Sequence, residues 1–330
     1  MLYGAQIWGI QSNGQQLPQS QIKPLEGIQN KCLRRIAGAY KRTPIAALKK
    51  ETNIPPLNLY LDTQAQQRVL KINNDPIEQA TKALLQSIWQ GRAPTRRRRN
   101  GPQQAIPTRP KTAQELLQQR AQERVQQIRQ QLTALQPPET TQRPQQRPQQ
   151  RPQRPLPPAK VLDKGLNIDW REKWERAAQE RQQQPHSYGP ATWASPWSVP
   201  VTNLYNGLQK AEATALFLLR TEVLGLRAWL AEINVPGITP RCECNRAPET
   251  ASHVVFHCPR YNRESLRPHI LIEWLPGCLA DQKSAQAIAK WFVRSGALNQ
   301  FSVAQEMATE SLDHYAPFQD LEDWDEDMRA

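Results

Sequence analysis

The residues best suited to chemistry lie together in the stretch RCECNRAPETASHVVFHCPRY, Arg241 to Tyr261. Cys242 and Cys244 stand one residue apart, and His253 and Cys258 follow within the next fourteen positions. Thiolates and an imidazole are the donors that zinc prefers, four of them in a tetrahedron. The tight Cys pair supplies two thiolates from a turn. His253 and Cys258 supply the rest from a short helix or turn, which Glu249-Thr250 is placed to start. Four protein ligands leave no open coordination position, so the expected role of Zn2+ is structural. His257 adjoins Cys258 and lies four residues from His253, which makes it the competing ligand. The plain alternative is chance clustering of Cys in a reduced protein. Cys32 and Cys278 stand alone and are expected to be small buried hydrophobes. Neighbours one residue apart are awkward disulfide partners, and the pattern suits a reducing compartment.

Basic segments are the second signal. The chain carries a formal net charge of +13, unevenly spread. Between Arg92 and Arg154 there are 14 Lys and Arg against 3 acids, whereas Glu306 to the end holds 9 acids and one Arg. A basic middle points to a polyanionic partner, and the acidic end reads as a solvated tail. Arg96, Arg97, Arg98 and Arg99 are consecutive, as in nuclear-import signals. Arg241, Arg246, Arg260, Arg263 and Arg267 flank the Cys/His cluster, with Tyr261 and Trp274 as candidate stacking partners. Phosphate contacts of this kind position RNA or DNA without reading its sequence. An ordinary solvated surface is the alternative. The run Arg154-Pro155-Leu156-Pro157-Pro158 would also suit a polyproline-binding groove, a weak protein partner.

Catalytic constellations are missing from the sequence. No Asp-Asp pair sits in an apolar strand setting, as two-metal nucleotidyl transfer would need. There is no Gly-rich phosphate loop and no plausible Ser/His/Asp or Cys/His arrangement. No catalytic residue is assigned, and the chain is not expected to be an enzyme. No apolar run approaches the ~18 residues that span a bilayer, so no membrane partner is expected.

The elements that must position these groups read as helices. In residues 1–90, Leu25, Ile28, Cys32, Leu33 and Ile36 recur at helical spacing and Gly38 is a stop. A second helix starts after Thr43-Pro44, Ile54-Pro55-Pro56 breaks the pattern, and further helices span Leu57 to Ile72 and Ile77 to Trp89. Residues 91–160 read as a basic low-complexity linker with one Gln-rich helix, Thr112 to Leu135, whose apolar seam is short for a coiled coil. The Arg143–Pro155 tract should be extended or disordered. Residues 161–200 form a connector whose Trp170 and Trp174 share a helix face and read as anchors onto the next domain. Residues 201–300 form a second helical unit, with a helix capped by Asn203 and others near Leu266–Trp274 and Ser284–Arg294; residues 301–330 are the acidic tail. The expected class is mainly α: two small helical units, a disordered Gln/Arg/Pro-rich linker between them, and a zinc site stapling the second.

Two blocks then become specific. LYGAQIWGI followed by KPLEGIQNKCLRRIAGAYKRTPIAALKKETNIPPL resembles the region after the palm, leading into the thumb, of fungal LINE-like (non-LTR, Tad-type) retrotransposon reverse transcriptases. The run from Leu219 to Leu230, LRT-x-x-x-GL-x-x-x-L, together with Cys-x-Cys…Glu-Thr-x-x-His…Cys-Pro, is similar to the same family's post-polymerase zinc segment. The resemblance covers roughly residues 1–75 and 200–275 and leaves the middle unmatched. It implies zinc ligation by Cys242, Cys244, His253 and Cys258, and thumb contacts with template and primer by Lys31, Arg34 and Arg35, with Lys41 and Arg42 in the following turn. The family's palm Asp-Asp motif has no counterpart here, and neither do its endonuclease or RNase H acids, so no polymerase residue carries over. The chain reads as the remainder of a longer product, nuclear and nucleic-acid-binding. A non-functional relic of a decayed element and a zinc-dependent interaction adaptor are the alternatives.

Overall fold

The computed structural model describes residues 15–72, 76–92, 111–134, 155–182, 191–194, 197, 201–270 and 272–301. Arg96–Arg99, most of the Pro tract and the acidic tail lie outside these residues. Among the described residues the protein is mainly helical, with no strand, and Arg241 and Pro248 form an isolated bridge. No helix of the described residues is long and apolar enough to cross a membrane. The chain divides into two compact units. The first holds residues 1–36, 43–189 and 196–199; the second holds residues 37–42, 190–195 and 200–330.

The first unit contains α1 (Gln19–Ala37, all but its last residue), α2 (Ile45–Glu51), α3 (Leu57–Ile72), α4 (Pro76–Arg92), α5 (Ala113–Ala134) and α6 (Pro158–Gln182). Its centre is the packing of α3, α5 and α6 on one another. Thr112 and Glu115 start α5 with a reciprocal capping box: Thr112 N–H donates to Glu115 Oε2 (2.8 Å), and Glu115 N–H donates to Thr112 Oγ1 (3.3 Å). The Gln-rich seam is buried at Leu117, Ala121, Val125 and Ile128. Ala65 and Val69 of α3 pack against the first two, and Val161 and Leu162 of α6 pack against the last two. The seam is short for a coiled coil by itself, yet it is long enough when two helices share it. The Gln-rich helix therefore belongs to the first unit's core rather than to a linker.

Polar cross-links set the register of this trio. Arg120 pairs with Asp62, Arg124 pairs with Asp169, and Gln67 Nε2 donates to Asp163 Oδ1 (2.6 Å). At Gly165 the helices approach so closely that a Cβ would lie 2.3 Å from Ile128 Cδ1.

Several expectations need correction here. Cys32 is exposed, because α1 buries Ile22, Asn30 and Leu33 and turns Ile28, Cys32 and Ile36 outward. Trp170 and Trp174 lie within a 25-residue helix and pack inside the first unit, edge-on and tilted against Trp197. Lys50 Nζ sits 4.2 Å from the centre of the Trp174 ring, a cation–π contact within the same unit. Pro158 opens α6, and the preceding Leu156 carbonyl accepts from Arg129 Nη2 (3.2 Å).

The second unit contains the turn at residues 37–42, α7 (Ala191–Ala194), a 3-10 turn (Val201–Tyr205), α8 (Lys210–Thr221), α9 (Arg227–Glu232), α10 (Leu275–Cys278) and α11 (Gln282–Arg294). The first long helix starts at Lys210, not at Asn203. Gly207 takes φ +79°, which breaks the turn from the helix, and Gln209 with Glu212 makes the capping box. Every side chain from Ala215 to Thr221 is buried, so α8 is the central rod, with α11 packed along it. Arg220 is wholly buried at its end and donates to the Leu279 carbonyl. The described residues of the 266–274 stretch do not form the expected helix. Pro268 limits the segment to a 3-10 turn at Arg267–His269, and Pro276 lies at the start of α10. Asp281 caps α11, its Oδ2 accepting from Ser284 N–H at 2.9 Å. Cys278 is buried, as expected.

Ile128 is 1 % exposed and touches two helices' worth of apolar side chains, so its packing is a sensitive probe of the first unit. Ile128→Ala should lower stability by about 2–5 kcal/mol in urea unfolding followed by circular dichroism. A loss under ~1 kcal/mol would mean that α5 does not pack in this core.

Candidate metal centre

The segment that carries the four donor residues has little regular structure to hold it. The chain leaves α9 through Asn234 and Gly237, both at positive φ, and reaches Pro240. Arg241 and Pro248 then bridge, with Cys242 N–H donating to the Ala247 carbonyl at 2.9 Å. The intervening turn closes where Asn245 N–H donates to the Cys242 carbonyl (2.8 Å), with Asn245 itself left-handed at φ +59°. This turn folds Cys242 and Cys244 to one side. On the other side, Thr250 starts a short helical segment, its Oγ1 accepting from His253 N–H at 3.1 Å. His253–His257 is a π-helical turn, and it ends where Cys258 N–H donates to the His253 carbonyl at 2.8 Å. Val254 and Val255 are fully buried and anchor the turn.

These two turns bring Cys242, Cys244, His253 and Cys258 together. Their ligand atoms all lie within 4.8 Å of one another, so the cluster can hold a metal ion. Cys242 Sγ and Cys258 Sγ are 3.7 Å apart, and Cys244 Sγ is 3.2 Å from His253 Nε2. Cys242, His253 and Cys258 are buried and Cys244 is half-buried. His257, the competing ligand, is exposed and is not part of the cluster. His253 is buried against the cluster whereas His257, at the end of the same turn, is left at the surface.

The electrostatics divide the thiols. Burial pushes the Cys242 thiol up to about 12. Cys244 is held below the ordinary thiol range, chiefly by the backbone N–H of Arg246. Burial lowers the pKa of His253, assisted by the charge of His257, which favours the neutral imidazole a metal requires.

Glu249 went unassigned as a site residue in the sequence, and it is central to the structure. It is buried, at 7 % exposure. Its Oε1 lies 3.8 Å from Cys242 Sγ, and its Oε2 accepts from the backbone N–H of Arg227 at 3.0 Å, the first residue of α9. Its carbonyl accepts from Ala228 N–H (3.4 Å), and its own N–H donates to the Pro240 carbonyl (2.8 Å). The only sequence signal for this role was an acid placed between the ligand pairs.

The flanking arginines divide by use. Arg241 Nη1 donates to the Asn245 carbonyl (3.0 Å) and so braces the Cys-x-Cys turn. Arg260 pairs with Glu243 at 2.7 Å, and Arg227 reaches the same carboxylate at 3.5 Å. Arg263 donates to the Cys258 carbonyl. Arg246 is exposed and has no ion-pair partner among the described residues. Tyr261 packs edge-on against Trp291, while Trp274 is 56 % exposed. Of the remaining candidates, Lys31, Arg35, Lys41 and Arg42 are exposed, and Arg34 Nη2 donates to the Thr43 carbonyl at 3.3 Å. Comparison with protein-family models, curated proteins and solved structures finds no match.

Metal binding must displace the Cys242 proton, because a thiol with its pKa near 12 is protonated at neutral pH. Affinity for Co(II) or Zn(II) should therefore rise with pH between about 6 and 8, with proton release on binding. Titration of the full chain in weak and strong buffers checks this, and an affinity independent of pH would contradict the protonated state.

Proposed function

We propose that the chain is a nucleic-acid-binding part of a LINE-like retrotransposon reverse transcriptase, and that the cluster holds a structural zinc ion. The convergence of three thiols and one imidazole carries the zinc assignment. Zinc bonded to sulfur at ~2.3 Å and to nitrogen at ~2.0 Å requires S–S edges of about 3.8 Å and S–N edges of about 3.5 Å. The Cys242–Cys258 separation of 3.7 Å fits the first, and Cys244–His253 at 3.2 Å is a few tenths short of the second. Soft thiolate ligands in a closed four-coordinate site favour zinc over the oxygen-seeking cations. Three thiolates and a dication leave one negative charge, toward which Arg263, donating to the Cys258 carbonyl, brings positive charge.

The spacing of these ligands, together with LRT-x-x-x-GL-x-x-x-L, supports the retrotransposon assignment. The exposed bases Lys31, Arg35, Lys41, Arg42 and Arg246, with the Arg96–Arg99 run, support RNA or DNA as partner and the nucleus as location. In such an element these parts would hold nucleic acid beside the polymerase during target-primed reverse transcription.

Zinc analysis of the purified full chain should give about one ion per chain, lost in His253→Ala and Cys258→Ser. A folded wild type without zinc would end the metal assignment. Binding of single-stranded RNA and DNA, read by fluorescence anisotropy, should weaken steeply as salt rises. Arg246→Ala should reduce the salt slope by about one without altering preference among sequences. Salt-independent binding, or none, would overturn the nucleic-acid assignment.

A further inference from the structure

The turn at residues 37–42 belongs to the second unit, although it lies far from it in sequence. Three contacts seat it there. Gly38 takes φ +66° and lies so close to α8 that a Cβ would fall 2.5 Å from Thr214 Cγ2. The Tyr40 ring lies 5.2 Å from that of Trp229 in α9, tilted by 34°. The Tyr40 hydroxyl bonds to Gln300 Oε1 and passes over Gly225, where a Cβ would lie 3.2 Å away.

The helix that carries Trp229 depends on the ligand loop. α9 is only six residues long, too short to persist alone. The backbone N–H groups of Arg227 and Ala228, its first two residues, are both taken by Glu249. Glu249 sits in the loop between Cys244 and His253, facing Cys242. A continuous path therefore runs from the cluster through Glu249 and the start of α9 to Trp229 and Tyr40.

We propose that metal binding and docking of the Tyr40 turn are one coupled event. Closing the loop around the metal holds Glu249, Glu249 holds the first turn of α9, and α9 presents Trp229 to Tyr40. Lys41 and Arg42 follow Tyr40 directly and are exposed, so the metal also fixes where this basic pair is displayed. The coupling rests on the zinc reading above.

Reciprocity makes the coupling measurable. If the metal favours docking, docking favours the metal by the same factor. Tyr40→Ala in the full chain should therefore bind zinc about tenfold more weakly in competition with a chromophoric chelator, within the range usual for coupled sites. Tyr40→Phe keeps the ring contact and should lose less. In the wild type, zinc removal should raise amide hydrogen exchange at residues 37–42 and 226–233 together. Superimposable zinc competition curves for wild type and Tyr40→Ala, both zinc-loaded, would overturn the coupling and leave the zinc site standing. If Tyr40→Ala fails to fold, exchange at residues 37–42 unaffected by zinc removal from the wild type would overturn it equally. A wild type that binds no zinc would instead overturn the site itself, and the coupling with it.

Discussion

Between Pro240 and Cys258 the backbone makes one bridge, one tight turn and one π-turn, and no ladder long enough to hold itself together. What this stretch buries is two of the three Cys, one imidazole, the Glu249 carboxylate, Ala251 and a pair of valines. Thiols packed at 3.7 Å are weak mutual partners, and thiolates at that distance repel. A cation at their centre would convert that repulsion into bonds, which ties the segment's conformation to the metal it can hold. Glu249 extends that constraint outward. It satisfies two of the N–H groups that a short helix cannot satisfy internally, so the order of α9 follows from the order of the ligand loop.

The first unit is held in a different way. Of its three central helices, α5 is rich in Gln, and α5 and α6 carry most of the Arg and Glu, so these two contribute only narrow apolar stripes. Ala65 and Ala121 permit close approach, as does Gly165 beneath Ile128, and the bulk of the core comes from Val125, Ile128, Val161 and Leu162. Arg120–Asp62 and Arg124–Asp169 then flank the stripes, limiting sliding between helices that carry few large side chains. Polar register marks of this sort contribute specificity more than stability.

Helix boundaries in the first unit were legible where local chemistry punctuates the chain. Ile54-Pro55-Pro56 separates α2 from α3, which begins at Leu57, and the Gln-rich helix read from Thr112 does start there, with Thr112 as its cap. Burial was less legible. Of the apolar spacing Leu25, Ile28, Cys32, Leu33 and Ile36, only Leu33 is buried, and Ile22 and Asn30 are covered beside it. Asn203 is a good capping residue, yet Gly207 follows too soon for a helix to grow, and Gln209 takes the role. The 25-residue α6 was hidden because its Trp residues sit among charges, and only Trp197 and Lys50 show which face they cover.

For the cluster, the sequence alone picked out three Cys and a His as the donor set, because donor chemistry belongs to the residue type. It left His253 and His257 open, since the two are equivalent on an ideal helix. The tertiary structure decided between them by burying His253 with Val254 and Val255 and leaving His257 exposed. Only tertiary structure could reveal Glu249 as the support of α9 and Tyr40 as part of the second unit, because both relations join residues distant in the chain. Donor chemistry is a property of a residue, whereas burial and support are properties of what the fold lays against it.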